Sequence, residues 1–334
     1  MNPSHERPAL AEKPVEVSSG KVRLRGIVPV LLASFDPSDE SLIFEDIGRQ
    51  MAFLKASGIR GVALPMFGTE GYKLDDGERQ EMIEHAVAAA NGEMAVVGNV
   101  LNAGARNAGF WASRYAQLGV DAISFPLPRA TGCNESDLLD FARRVCDSVD
   151  LPILIQDWNP GGATIDEKFC VALKTHCENF SYVKLEEPFS LPKIRRIVEE
   201  TGGNVQCFDG WGALRAMQAL EAGVVGLMPG PSMADVLALM FEAHTEGNWE
   251  KAMAIYESCL AQMVTALQGN LEFFIIMEKY LAWRRGLIQS KAVRSPSVRL
   301  DPELRKFGER ICDRTLARLL EVQKSISGAM AMTH

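Results

Sequence analysis

The 334-residue sequence predicts an α/β fold, a (β/α)8 TIM barrel followed by a C-terminal extension of three helices. Three observations predict it. Eight short apolar, β-rich runs recur along the chain, with helical patterns between them. Most of these runs are too apolar to have one wet face, as parallel strands covered on both sides require. After about residue 246 the strand signals stop and only helical periodicity continues. A doubly wound open sheet is the alternative, but no GxGxxG follows the first run and no Walker sequence occurs.

Taken in order, residues 1–22 are expected to form a flexible N-terminal arm. They are polar, contain Pro3, Pro8 and Pro14, and lack the apolar run of a secretory signal, which makes the cytoplasm the expected compartment. The barrel domain is expected over 23–246, with strands at 27–32, 61–65, 94–97, 122–125, 153–156, 182–185, 205–208 and 224–228. Between the first two, Phe44, Ile47, Met51 and Leu54 share one helical face. After the second, Met82, Ile83, Ala86, Val87 and Ala90 do the same before Asn91-Gly92 ends the helix. The helical region is expected over 247–334: one helix at 249–267, one at 272–285 closed by Gly286, and one at 302–320 opened by Asp301 with Pro302 in its first turn. Its apolar residues Phe273, Phe274, Ile276 and Met277 can cover the barrel's side or a neighbouring subunit.

Composition excludes several function classes. The chain is 47% hydrophobic and 23% charged, and no stretch approaches the roughly 20 continuous apolar residues that span a bilayer, so no membrane role is expected. A formal charge of −8 disfavours a nucleic-acid binder, which needs a concentrated basic surface. The seven cysteines show no CxxC pairing, and none of the five histidines stands at an expected strand end, so neither a disulfide framework nor a metal site is expected.

In a barrel of this kind the active site forms at the carboxyl ends of the strands. The candidates there are Thr69 and Glu70, Asn99, Gln156 and Asp157, Lys184 and Glu186, Asp209 and Trp211, and the stretch 229–231. Lys184 stands apart because it interrupts an apolar strand, Tyr182-Val183-Lys184-Leu185, and must point opposite to Val183 and Leu185. A lysine directed into a barrel mouth loses hydration, which favours the neutral amine able to attack a carbonyl. The alternative is an ordinary lysine whose ammonium reaches solvent at the strand end.

Five motifs occur in order on successive strands: Gly26-Ile27-Val28-Pro29-Val30, Gly68-Thr69-Glu70-Gly71, LIQDWNPGGAT from Leu154 to Thr164, Tyr182-Val183-Lys184-Leu185-Glu186 and Gly223-Val224-Val225-Gly226. Together they resemble the dihydrodipicolinate synthase/N-acetylneuraminate lyase family from about residue 23 to 320. The resemblance implies that Lys184 forms a Schiff base with a small 2-keto acid, that no cofactor or metal is used, and that the chain assembles as a homo-oligomer, a dimer or tetramer. It also implies substrate contacts from Gly68, Thr69, Gln156, Asp157, Glu186 and Gly226.

The departures narrow the activity. Glu70 stands in the turn where the family carries a hydroxyl residue. Ile155-Gln156-Asp157 replaces the tyrosine that ends strand five, Pro126-Leu127-Pro128-Arg129 replaces the tyrosine pair after strand four, and no arginine for a second carboxylate occurs in the 160–164 stretch. This set resembles most the branch containing 2-keto-3-deoxy-pentonate (arabonate-type) dehydratases. Dehydration of a 2-keto-3-deoxy sugar acid is therefore the expected reaction, with Glu70 as the expected proton-transfer residue once tyrosine is absent. A pyruvate-dependent aldolase or a dihydrodipicolinate synthase-like condensing enzyme is the alternative within the class, and a non-catalytic keto-acid-binding barrel is the alternative outside it.

Overall fold

The computed structural model describes residues 15–18, 21–129, 132–159, 162, 164–187, 191–267 and 269–331, and side chains within these except at 15–22, 265–267 and 320–331. Pro160, Gly161, Ala163 and Pro188 of the sequence motifs lie outside the described residues. Two antiparallel strands, β1 (Val15–Ser18) and β2 (Lys21–Leu24), begin within the segment expected as an arm and run two residues past its expected end. Leu24 is buried among barrel-interior residues, and its backbone N–H donates to the Tyr182 hydroxyl at 2.9 Å, which fastens the strand pair to the barrel.

Eight parallel strands follow: β3 (Gly26–Ile27), β4 (Gly61–Leu64), β5 (Ala95–Asn99), β6 (Ala122–Pro126), β7 (Ile153–Trp158), β8 (Phe180–Glu186), β9 (Gln206–Asp209) and β10 (Gly226–Leu227). Each overlaps an expected run. They pair in the order β3-β10-β9-β8-β7-β6-β5-β4, and a parallel bridge between Val30 and Ala63 brings the two ends together. The helices α1 (Glu45–Ala56), α2 (Asp76–Ala90), α3 (Ala105–Leu118), α4 (Glu135–Cys146), α5 (Glu167–His176), α6 (Leu191–Glu200), α7 (Ala216–Ala222) and α8 (Ala234–Thr245) alternate with the strands. Strand pleating separates two cores. Val28, Ala63, Val97, Leu154 and Phe208 fill the barrel, while Val62, Ile123, Ile155, Val183 and Leu185 belong to the layer beneath the helices.

The C-terminal region comprises α9 (Trp249–Ile255), a π turn at Tyr256–Leu260, α10 (Ala261–Leu267), α11 (Leu271–Arg284) and α12 (Pro302–Ala331). The helix expected at 249–267 is thus continuous except for one π turn, an insertion that periodicity does not register. Phe273, Ile276, Met277 and Leu281 of α11 join the core shared with the barrel helices. No helix among the described residues is long and apolar enough to cross a membrane.

Candidate active site

At the carboxyl ends of the strands lies a cavity of about 550 Å³, bounded by residues from several strand ends and by the start of α11. Lys184 is its centre. On β8 the alternation that sends Val183 and Leu185 outward sends Tyr182 and Lys184 inward, so the lysine is 3% exposed and lines the cavity. Its Nζ lies 2.9 Å from Glu186 Oε1 and 3.9 Å from Met66 Sδ. The other Glu186 oxygen, Oε2, accepts from Gln156 Nε2 at 3.0 Å. Gln156 faces Lys184 across the β7–β8 ladder, and its Oε1 is buried without a protein partner. An amine and a carboxylate therefore meet on the cavity wall, with the Gln156 amide holding the carboxylate from behind.

Gly210 makes this arrangement possible. A Cβ at that position would meet Lys184 Cε and Glu186 Cγ, both at 2.6 Å. Sequence reasoning passed over this glycine, because nothing local to Asp209-Gly210-Trp211 reveals that a lysine stem from the neighbouring strand lies across it.

The remaining expected site residues are placed as follows. Gly68 lines the cavity. Thr69 is fully buried and is not among the lining residues, with its Oγ1 accepting from Met66 N–H at 3.0 Å. The backbone N–H groups of Thr69, Glu70 and Gly71 are bonded inside the turn, to Met66 O, Phe67 O and Met66 O. Glu70 adopts a left-handed backbone, φ 65°, and is 0% exposed. Its Oε2 takes Lys73 Nζ at 2.8 Å and Arg294 N–H at 3.2 Å, and its Oε1 pairs with buried Lys279 on α11. The proton-transfer role expected of Glu70 thus lacks geometric support: two ammonium groups claim the carboxylate, and it is not among the cavity-lining residues.

Asp157 points outward from β7, opposite to Gln156. It receives a bidentate Arg129 guanidinium at 2.9 and 3.0 Å together with the Ile165 N–H, which ties two loops together, and it is not among the cavity-lining residues. Burial pushes its carboxyl up while Arg129 pulls it down. Gly226 lies deeper, where a Cβ would stand 2.0 Å from Gly26 O; it is glycine because two strands approach there, and it does not line the cavity.

Asp209, at the end of β9, is fully buried, and burial pushes its carboxyl up to about 7 although the Trp211 N–H bonds to it. Trp211 walls the cavity. So do Asn270, which caps α11, and Leu271 and Phe274 within it; of these the sequence suggested Phe274, and only as cover for the barrel's side or another subunit. Among the described residues no group of three or more His, Cys, Asp or Glu side chains is arranged to hold a metal ion.

Comparison with known proteins agrees with this architecture. The model of the Dihydrodipicolinate synthetase family matches residues 23–313. The L-2-keto-3-deoxyarabonate dehydratase of Azospirillum brasilense is 26% identical over 293 residues, 86% of this chain and 93% of that one. A 4-hydroxy-tetrahydrodipicolinate synthase of Aquifex aeolicus is 24% identical over 289 residues, 84% of this chain and 93% of that one. The structure of the 4-hydroxy-tetrahydrodipicolinate synthase from Methylacidiphilum fumariolicum SolV superposes with a TM-score of 0.83 at 17% identity, covering 90% of this chain and 99% of that one, a likeness of fold alone. With a family match across nearly all of the barrel and a lysine at the mouth of its sixth strand, the chain belongs to the Dihydrodipicolinate synthetase family and is an enzyme of the lyase class.

Proposed function

We propose that Lys184 condenses with the C2 ketone of a small 2-keto acid and that the reaction is dehydration of a 2-keto-3-deoxy sugar acid. The observation that carries the first part is the Lys184–Glu186 contact of 2.9 Å inside the cavity. Glu186 accepts a proton from the ammonium, and the neutral amine adds to C2. Glu186 then protonates the carbinolamine hydroxyl, which leaves as water and gives the iminium. The iminium acidifies C3; Glu186 removes a C3 proton to form the enamine and returns it to the C4 hydroxyl, which departs as a second water. Hydrolysis of the unsaturated iminium restores Lys184. Gln156 holds Glu186 from the far side. Glu70 is a positioning residue in this reading, joining the 67–71 turn to α11.

Two observations support dehydration. The similarity to the arabonate dehydratase spans 86% of the chain, and among the described cavity-lining residues Lys184 is the sole cation, which leaves a second substrate carboxylate without a partner. Borohydride reduction with pyruvate is expected to add the ligand mass to the peptide containing Lys184 and to leave Lys184→Ala unlabelled. Lys279 is the natural rival, since burial pushes its ammonium down to about 8, but it packs on Glu70 and the Phe35 ring outside the cavity. Label on Lys279 would overturn the assignment. A panel of keto-deoxy acids tests the reaction: release of pyruvate and an aldehyde, or synthesis of dihydrodipicolinate from aspartate semialdehyde, would replace dehydration with cleavage or condensation.

A further inference from the structure

We propose that the cavity contains a distal subsite for a bulky, uncharged, apolar group attached at C4 of the 2-keto acid, so that the accepted substrates extend beyond a five-carbon sugar acid. This rests on Lys184 as the imine-forming residue. A 2-keto-3-deoxypentonate has ten heavy atoms, which fill at most roughly 300 Å³ even at the ~30 Å³ per heavy atom of liquid water. The cavity measures about 550 Å³, within the usual range for far larger ligands. Its walls include the rings of Phe67, Trp158, Trp211 and Phe274 and the Leu271 side chain, all of them half-buried.

Half-buried rings facing a cavity at the barrel mouth are apolar surface awaiting cover. These walls are also held in place: the Phe67 and Trp158 rings pack at 4.8 Å between centroids, and the Arg215 guanidinium lies 5.9 Å from the Trp211 ring centroid. Charge argues in the same direction. The charged groups among the described lining residues are Lys184 and Glu186, which pair with each other near the reacting carbons. A distal carboxylate or phosphate would be desolvated there without a counter-ion, whereas an aryl or branched alkyl group would be covered by the rings.

The experiment compares pyruvate, 2-oxo-4-phenylbutanoate and 2-oxoglutarate by the concentration that half-saturates borohydride trapping, read by intact mass. The phenyl acid is expected to half-saturate at a concentration at least about tenfold below that of pyruvate, the scale on which burying one apolar group changes affinity, and 2-oxoglutarate is expected to gain nothing. Phe274→Ala, which removes one ring, and Leu271→Trp, which fills the space, should each move the phenyl-to-pyruvate ratio towards one. Adducts that form on Lys184 without a preference for the phenyl acid, a preference for 2-oxoglutarate, or a phenyl preference unchanged in both variants would overturn the subsite alone. Absence of an adduct with all three acids would overturn the Lys184 reading and the subsite with it.

Discussion

Gly210→Ala tests the geometry of the site with a single methyl group. The added Cβ would stand 2.6 Å from Lys184 Cε, 2.6 Å from Glu186 Cγ and 2.8 Å from Lys184 Cγ. Carbon atoms pack comfortably at about 3.5–4.0 Å, so the two side chains must retreat by roughly 1 Å. Gly210 is not among the residues at positive φ, so alanine fits its backbone and the effect is confined to the contact. Both displaced groups are side chains, and the barrel should persist. The 2.9 Å pair between Nζ and Oε1 should not, because both partners are pushed from one side. A misplacement of about 1 Å costs on the order of 10²-fold in rate, or about 2.7 kcal/mol of barrier. The assay is turnover of the accepted keto-deoxy acid together with the rate of borohydride trapping and a thermal melt. Gly48→Ala on α1 serves as the control, since a Cβ there meets nothing within 4 Å. Turnover and trapping within a few-fold of the parent in folded Gly210→Ala would show that the Lys184–Glu186 arrangement does not set the rate.

Three further outcomes are expected. Glu70→Gln leaves Lys73 and Lys279 without their shared buried carboxylate, so it should lower stability in denaturant by about 3–5 kcal/mol while folded molecules still form the Lys184 adduct; an unchanged melt with turnover down ~10²-fold or more would return Glu70 to proton transfer. Glu186→Gln should slow trapping and turnover by ~10²–10⁴-fold with little change in melting temperature, and near-parental rates would remove Glu186 from the mechanism. Asp209, raised to about 7 by burial, keeps in the folded state a proton that the unfolded state gives up near pH 4, so its contribution to stability falls as pH rises between about 4 and 7. Asp209→Asn should accordingly gain relative to the parent by up to about 1.4 kcal/mol per pH unit across that window, and a flat difference in unfolding free energy would refute the buried acid.

What could be read from the chain follows from how local each signal is. The direction of Lys184 was legible because pleating alternates neighbours, and Val183 and Leu185 must occupy the outer core. The same rule, applied to β7, could have separated Gln156 from Asp157: the ladder sets Gln156 beside Lys184, which turns Asp157 outward to Arg129. Glu70 was not legible in this way. It stands in a turn where alternation does not apply, its left-handed backbone aims it away from the cavity, and one partner, Lys279, is supplied by a helix more than two hundred residues later.

By itself the sequence determined the eight strands, their enclosing helices and the inward lysine, because strand and helix periods are properties of neighbouring residues. The tertiary structure alone decided which carboxylate lies against that lysine, why residue 210 must be glycine, and which side chains of α11 wall the cavity. Those are contacts between segments far apart in the chain. Whether they form depends on barrel closure and on the docking of α11 over the strand ends, and no local pattern encodes either distance.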